Sequence, residues 1–119
     1  MSGICVSIGT DDGIHVKVGH FGDSKYFYHY RLGGGDIILE KVVENPYRGE
    51  HGHGHGHGRH TKREKIYELN KDCNVIVATF FGPGGEAYMN ERGIRVVKVA
   101  PGTEIKTILE KLATETQEV

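Results

Sequence analysis

The sequence predicts an α/β domain built on a mixed sheet of about five strands, and three observations predict it. Up to Asn45-Pro46 the chain alternates apolar and polar residues between glycine-rich turns, the pattern of antiparallel hairpins. Beyond residue 61, strand-like and helix-like segments alternate, so the later strands must lie parallel, joined by right-handed crossovers. Near the C-terminus Ile105, Ile108, Leu109 and Leu112 fall at i, i+3, i+4 and i+7, one apolar helix face. At 119 residues the chain is one domain with one real core.

Each element follows from its local pattern. Ile4, Val6 and Ile8 alternate around Cys5 and Ser7 as a first strand, and Thr10-Asp11-Asp12-Gly13 turns after it. Residues 14–18 alternate weakly and are expected to add a short strand. Gly19-His20-Phe21-Gly22 is a loop whose glycines let the backbone bend and present an imidazole. Residues 26–32 and 37–43 are two strands joined by Gly33-Gly34-Gly35-Asp36, and Asn45-Pro46 ends the second. Thr61-x-x-Glu64 is a capping box opening a helix, with Ile66, Leu69 and Cys73 at helical spacing. Residues 75–80 are near-continuously apolar, as in a strand buried on both faces. Gly82-Pro83-Gly84-Gly85 is a loop opening a short helix to about Arg92, with Tyr88 and Met89 inward. Residues 94–99 are the last strand, and Pro101-Gly102 turns into the last helix.

The segment from 46 to 60 is expected to be a flexible loop rich in histidine and glycine. His51, His53, His55, His57 and His60 are five of the eight histidines. Glycine at alternate positions removes any packing face, so this tract is not core. Imidazole binds metals readily. Histidines two apart in an extended chain stand ~6.6 Å apart. A zinc ion takes nitrogen at ~2.0–2.1 Å, so the chain must fold back to chelate. Two readings stay open: a soft, exchangeable site for nickel, zinc or copper ions, or a solvated loop. Because only neutral imidazole ligates, any such affinity should fall as pH drops through ~6.5.

Composition excludes other classes. A net charge of −1 gives no general attraction for nucleic acid or membranes. No apolar run approaches the ~20 residues of a membrane span, and the start lacks a basic, apolar leader, so a cytoplasmic protein is expected. Cys5 and Cys73 are far apart with no C-x-x-C, and buried reduced thiols are expected. Gly82-x-Gly84-x-x-Ala87 loosely matches a dinucleotide fingerprint, but Pro83 removes a donor and no acidic residue ends the next strand. There is no G-x-S-x-G, no H-E-x-x-H and no Cys–His pairing at a known catalytic spacing.

His20-Phe21-Gly22 followed by Tyr26-Phe27 resembles the H-F-G-x-x-x-Y/F-F signature of the dinitrogenase iron–molybdenum cofactor biosynthesis family. Gly82-Pro83 after a buried strand, then Glu91-x-Gly93-Ile94, is similar to that family's G-P…E-x-G-I segment, and Asn45-Pro46 before a histidine-rich loop also recurs there. The family includes NifX-like and NafY-like carriers, the terminal domain of NifB, and the orange protein with its molybdenum–copper sulfide cluster. The resemblance implies a ribonuclease H-like fold and binding of a metal–sulfur cluster or its precursor, without catalysis. It makes His20 the best single metal ligand, with Phe21, Gly22 and Gly82, Pro83, Gly84 and Gly85 around the cofactor. Gly84-Gly85 depart from the family, where a larger residue and an alanine are common.

The leading expectation is therefore a non-enzymatic carrier for an iron–molybdenum or molybdenum–copper type cluster, working with a cluster-assembly or acceptor protein. The alternatives are ion storage through the tract alone, and a small phosphate- or nucleotide-binding enzyme using the glycine segment.

Overall fold

The computed structural model describes residues 3–49 and 61–117, so the histidines at 51–60 lie outside the described residues. In chain order the elements are β1 (Ile4–Thr10), a 3-10 turn (Phe21–Asp23), β2 (Tyr26–Gly33), β3 (Asp36–Glu44), α1 (Lys62–Asn70), β4 (Val75–Ala78), α2 (Pro83–Glu91), β5 (Arg95–Lys98) and α3 (Ile105–Gln117). They form one five-stranded mixed sheet in the order β3-β2-β1-β4-β5. β1, β2 and β3 are an antiparallel meander, while β4 lies parallel to β1 and β5 parallel to β4. The two-residue hairpin between β2 and β3 needs positive φ at both central residues, which Gly34 (+60°) and Gly35 (+86°) supply.

Each sheet face carries its own core. Val6 and Ile8 of β1, with Val75 and Val77, pack against Ile105, Ile108, Leu109 and Leu112 of α3. Phe27, Ile76 and Ala78 pack on the opposite face with Phe21, Ile66 of α1 and Met89 of α2. Period-two alternation on central strands covered on both sides produces this division. The capping box at Thr61 is present: Thr61 Oγ1 accepts from the Glu64 amide, and Glu64 Oε1 accepts from the Thr61 amide at 2.7 Å.

Two expectations are corrected. Residues 14–18 form no strand; His15 makes one isolated bridge to Glu104, and the Val16 amide donates to Thr103 O at 3.0 Å. The cause is Asp12. Its Oδ1 accepts from the amides of Ile14 and His15, both at 2.8 Å, which folds the backbone into a turn. Secondly, Cys5 and Cys73 are buried, as expected, but joined in a disulfide rather than reduced. Helix α1 stops at Asn70, so Cys73 sits in the following turn. There Asn74 N donates to Cys5 O at 2.8 Å and Asn74 Oδ1 accepts from Cys5 N at 2.9 Å. This reciprocal pair brings two cysteines distant in sequence to a Cα separation of 4.4 Å.

The Asp12–His15 pair also titrates in a readable way. Asp12 Oδ2 meets His15 Nδ1 at 2.8 Å. The hydrogen bond that His15 donates to Asp12 raises the His15 pKa above 6.5, and the His15 side chain and amide hold Asp12 well below the carboxylate range. A raised histidine pKa adds stability that is fully present below about 6.5 and is lost as pH rises through the folded-state value. An NMR titration should therefore place the His15 midpoint above 6.5, and Asp12→Asn should bring it down. An unmoved midpoint in that variant would show the pair is not coupled.

Candidate functional site

The site is built at the carboxyl end of β4. Phe80 follows that strand, and His20 forms an isolated parallel bridge with it, as an extra rung beside the sheet. The Phe21 amide donates to Phe80 O at 3.2 Å. Thr79 Oγ1 accepts from the Gly19 amide at 3.0 Å and donates to Lys17 O at 2.8 Å. The His20 imidazole is exposed and meets the Phe80 ring edge-on, with centroids 4.5 Å apart and planes at 80°. Val18 (63% exposed), two residues before it in the chain, and Phe80 (47%) add exposed apolar surface.

The loop is held from beneath. Phe21 is 2% exposed and stacks on Phe81 at 5.3 Å and against Phe27 at 4.7 Å. Its ring is thus a core anchor beneath the His20 turn. Ser24 Oγ donates to Phe21 O at 2.7 Å, and Asn45 Nδ2 donates to Gly22 O and Ser24 O at 2.9 and 2.8 Å. Asn45, which in the sequence ends a strand and belongs to the Asn45-Pro46 pair of the family resemblance, therefore closes the turn. Gly9 on β1 lies under it, where a Cβ would stand 2.2 Å from Ser24 Oγ and 3.1 Å from the Phe21 ring. Gly9→Ala must push the turn off the sheet and should destabilise the fold by about 1–3 kcal/mol. A urea midpoint equal to that of the parent would show that the turn yields freely.

Gly82 to Gly85 are not a loop. Gly82 is the N-cap of α2, Pro83 its first residue, and Gly84 and Gly85 lie inside the first turn. Proline at the first position fits because its missing N–H would be unpaired there anyway. The first hydrogen bond of this end runs from Glu86 N to Gly82 O at 2.8 Å, and the Gly84 and Gly85 amides belong to the open helix start. Arg63 Nη1 donates to Gly84 O at 3.1 Å and brings a guanidinium to the same end. Positive helix end and arginine together favour an anion. Gly85 backs onto Phe81, whose ring lies 3.0 Å from where a Cβ would be.

Asp23 completes the site from the other side. Burial raises its pKa, but the Lys62 ammonium and the Gly49 amide outweigh that and hold it ionised below its ordinary value. Asp23 Oδ1 accepts from Gly49 N at 3.2 Å and is paired with Lys62 Nζ. The chain therefore leaves for the histidine tract, and returns from it, beside the His20 turn. Cavities of about 340 and 490 Å³ lie elsewhere, the first lined by Lys25, Tyr26 and Arg48, the second by Ile14, Ile37 and Leu109. Around His20 the described residues leave His20, Val18 and Phe80 exposed.

Sequence reading marked His20, Gly22 and Gly82–Gly85, and the structure gathers these around one strand end. It missed Thr79, Phe80, Arg63, Asn45 and Asp23. Phe80 carried a signal as an aromatic that precedes the glycine segment, and Asn45 carried one through the Asn45-Pro46 pair.

Comparison with solved structures gives the same fold. The apo form of the orange protein from Desulfovibrio gigas is 15% identical, with 94% of this chain and 88% of that one covered and a TM-score of 0.68. The structure named PH0822 is 24% identical over 94% and 92%, with a TM-score of 0.69. A Thermotoga protein solved by NMR is 21% identical over 95% and 90%, with a TM-score of 0.60. No curated protein matches the sequence. The family model for dinitrogenase iron-molybdenum cofactor matches residues 2–115, and the chain belongs to that family.

Proposed function

We propose that this protein is a non-catalytic carrier that holds a preformed metal–sulfur cluster, of iron–molybdenum or molybdenum–copper type, on the exposed surface at His20. The observation that carries this reading is the bridge between His20 and Phe80. It fixes an exposed imidazole one strand end away from an open helix start that favours anions. Sulfide-rich clusters are anionic and bulky. An imidazole can ligate one metal, amides can donate to sulfides, and Val18 and Phe80 offer apolar contact. An exposed surface suits cargo that must arrive assembled and leave whole, handed between an assembly protein and an acceptor. The family and the orange protein's fold support the reading. Gly49 and Lys62, on either side of the tract, both contact Asp23, and in this proposal the tract covers the cargo or passes it on.

The test is His20→Ala. The side chain is exposed, so folding should change by no more than about 0.5 kcal/mol. Parent and variant are each reconstituted with thiomolybdate and copper, and separately with an isolated nitrogenase-type cofactor. The variant should lose most retained metal and its visible absorption, while divalent ions bound by the tract stay. Equal cluster retention in the two proteins would overturn His20 as a ligand.

A further inference from the structure

We propose that Cys5, Cys73 and His29 form a second metal site, a buried Cys2His set for one zinc-like ion, which becomes available when the disulfide is reduced. It lies at the opposite end of the sheet from His20: Cys73 precedes β4, whereas Phe80 follows it. All three residues are buried, at 5%, 3% and 2% exposure. One ligand atom from each falls within 4.8 Å of the others. Zinc takes sulfur at ~2.3 Å and nitrogen at ~2.0–2.1 Å, so ligand atoms around it stand about 3.5 Å apart. Once the bond is reduced, the two sulfurs separate to that spacing to take the ion.

The histidine is prepared for this role. Asn70 Nδ2 donates to Ile66 O at 2.9 Å, which fixes the amide so that its Oδ1 faces the sheet. That oxygen accepts from Ser7 Oγ at 2.6 Å and meets His29 Nε2 at 2.9 Å. An acceptor at Nε2 places the ring proton there and leaves Nδ1 unprotonated; in the proposed site Nδ1 is the nitrogen that ligates. A ligating histidine commonly holds its other N–H to a fixed acceptor in this way. Ser7 and His29 are paired across β1 and β2, so the sheet register holds the arrangement.

Charge and electrons balance. Two monothiols, or one dithiol, supply two electrons and two protons, converting the disulfide to two thiols while the reductant becomes a disulfide itself. A divalent ion then displaces two thiol protons. Two thiolates and a neutral imidazole around a dication leave no net charge, so the buried site escapes the large cost of an uncompensated ion. Three protein ligands leave a fourth position for water.

The experiment titrates cadmium into the full chain, reduced and oxidised, and follows the ultraviolet thiolate-to-metal band. Imidazoles of the tract give no such band, so the signal reads the buried site alone. The reduced chain should show the band saturating at one ion, and the oxidised chain none. Asn70→Ser, which unseats His29, should weaken binding by about 10–100-fold, and His29→Ala by more. Should these variants fail to fold, the wild type decides: zinc should slow alkylation of both thiols in the reduced protein. No thiolate band in the reduced chain, thiols that zinc leaves unprotected, or unchanged affinity in a folded His29→Ala would overturn the proposal.

Discussion

Phe21→Ala is expected to lower the unfolding free energy by about 3–5 kcal/mol, the range for truncating a buried phenylalanine. The ring lies between Phe27 and Phe81 and joins β2, the 3-10 turn and the entry to α2 into one apolar cluster. Small domains have only about 5–15 kcal/mol in total, so the loss is large. The same substitution should also disorganise the His20 turn, since the Phe21 ring holds it down. The contrast with His20→Ala is sharp: one variant loses stability, while the other keeps it and loses cargo. Urea unfolding of both, with cluster retention measured under folding conditions, checks this. A loss below about 1 kcal/mol for Phe21→Ala would mean that neighbouring side chains refill the space.

Asn70→Ala is expected to cost about 2–5 kcal/mol, although it removes only a small polar group. Asn70 is fully buried and serves three partners: Ser7 Oγ, His29 Nε2 and Ile66 O. Its loss leaves two donors facing an empty space, and each unsatisfied buried group costs about 1–3 kcal/mol. Combining it with Ser7→Ala should cost less than the sum of the single changes, because the hydroxyl that Asn70 satisfied is then gone. Additive losses in that double-mutant cycle would show that the two residues do not share an interaction.

The fold was largely legible because it rests on periodicities. Alternation in Ile4–Ile8 and the helical spacing of Ile105 to Leu112 each have one geometric meaning, and the structure buries Val6, Ile8, Ile105, Ile108, Leu109 and Leu112 accordingly. The hairpin turn was legible because glycine at Gly34 and Gly35 answers a backbone demand. Residues 14–18 misled because weak alternation cannot register Asp12 capturing two backbone amides downstream. The disulfide was hidden because Cys5 and Cys73 meet only once α1 has folded back along the parallel strand pair β1–β4. At the site, His20 stood out through its flanking glycines. Thr79, Asn45 and Asp23 act through hydrogen bonds to residues distant in sequence, and no local pattern announces those. Gly9 looked like an ordinary strand residue, and its value appears only when Ser24 is found against it.

The Cys5–Cys73 link also sets the covalent topology of the chain. Residues 5 to 73 form a closed ring that contains β2, β3, the histidine tract and α1, while β4, α2, β5 and α3 hang from it as a tail. A protease that cuts the tract opens this ring but releases nothing. The nicked protein would run as one species on a non-reducing gel and as two on a reducing gel. A thiol reductant therefore decides more than the state of two sulfurs: after a cut, it decides whether the fragment carrying His20 and the fragment carrying the α2 helix start remain one molecule.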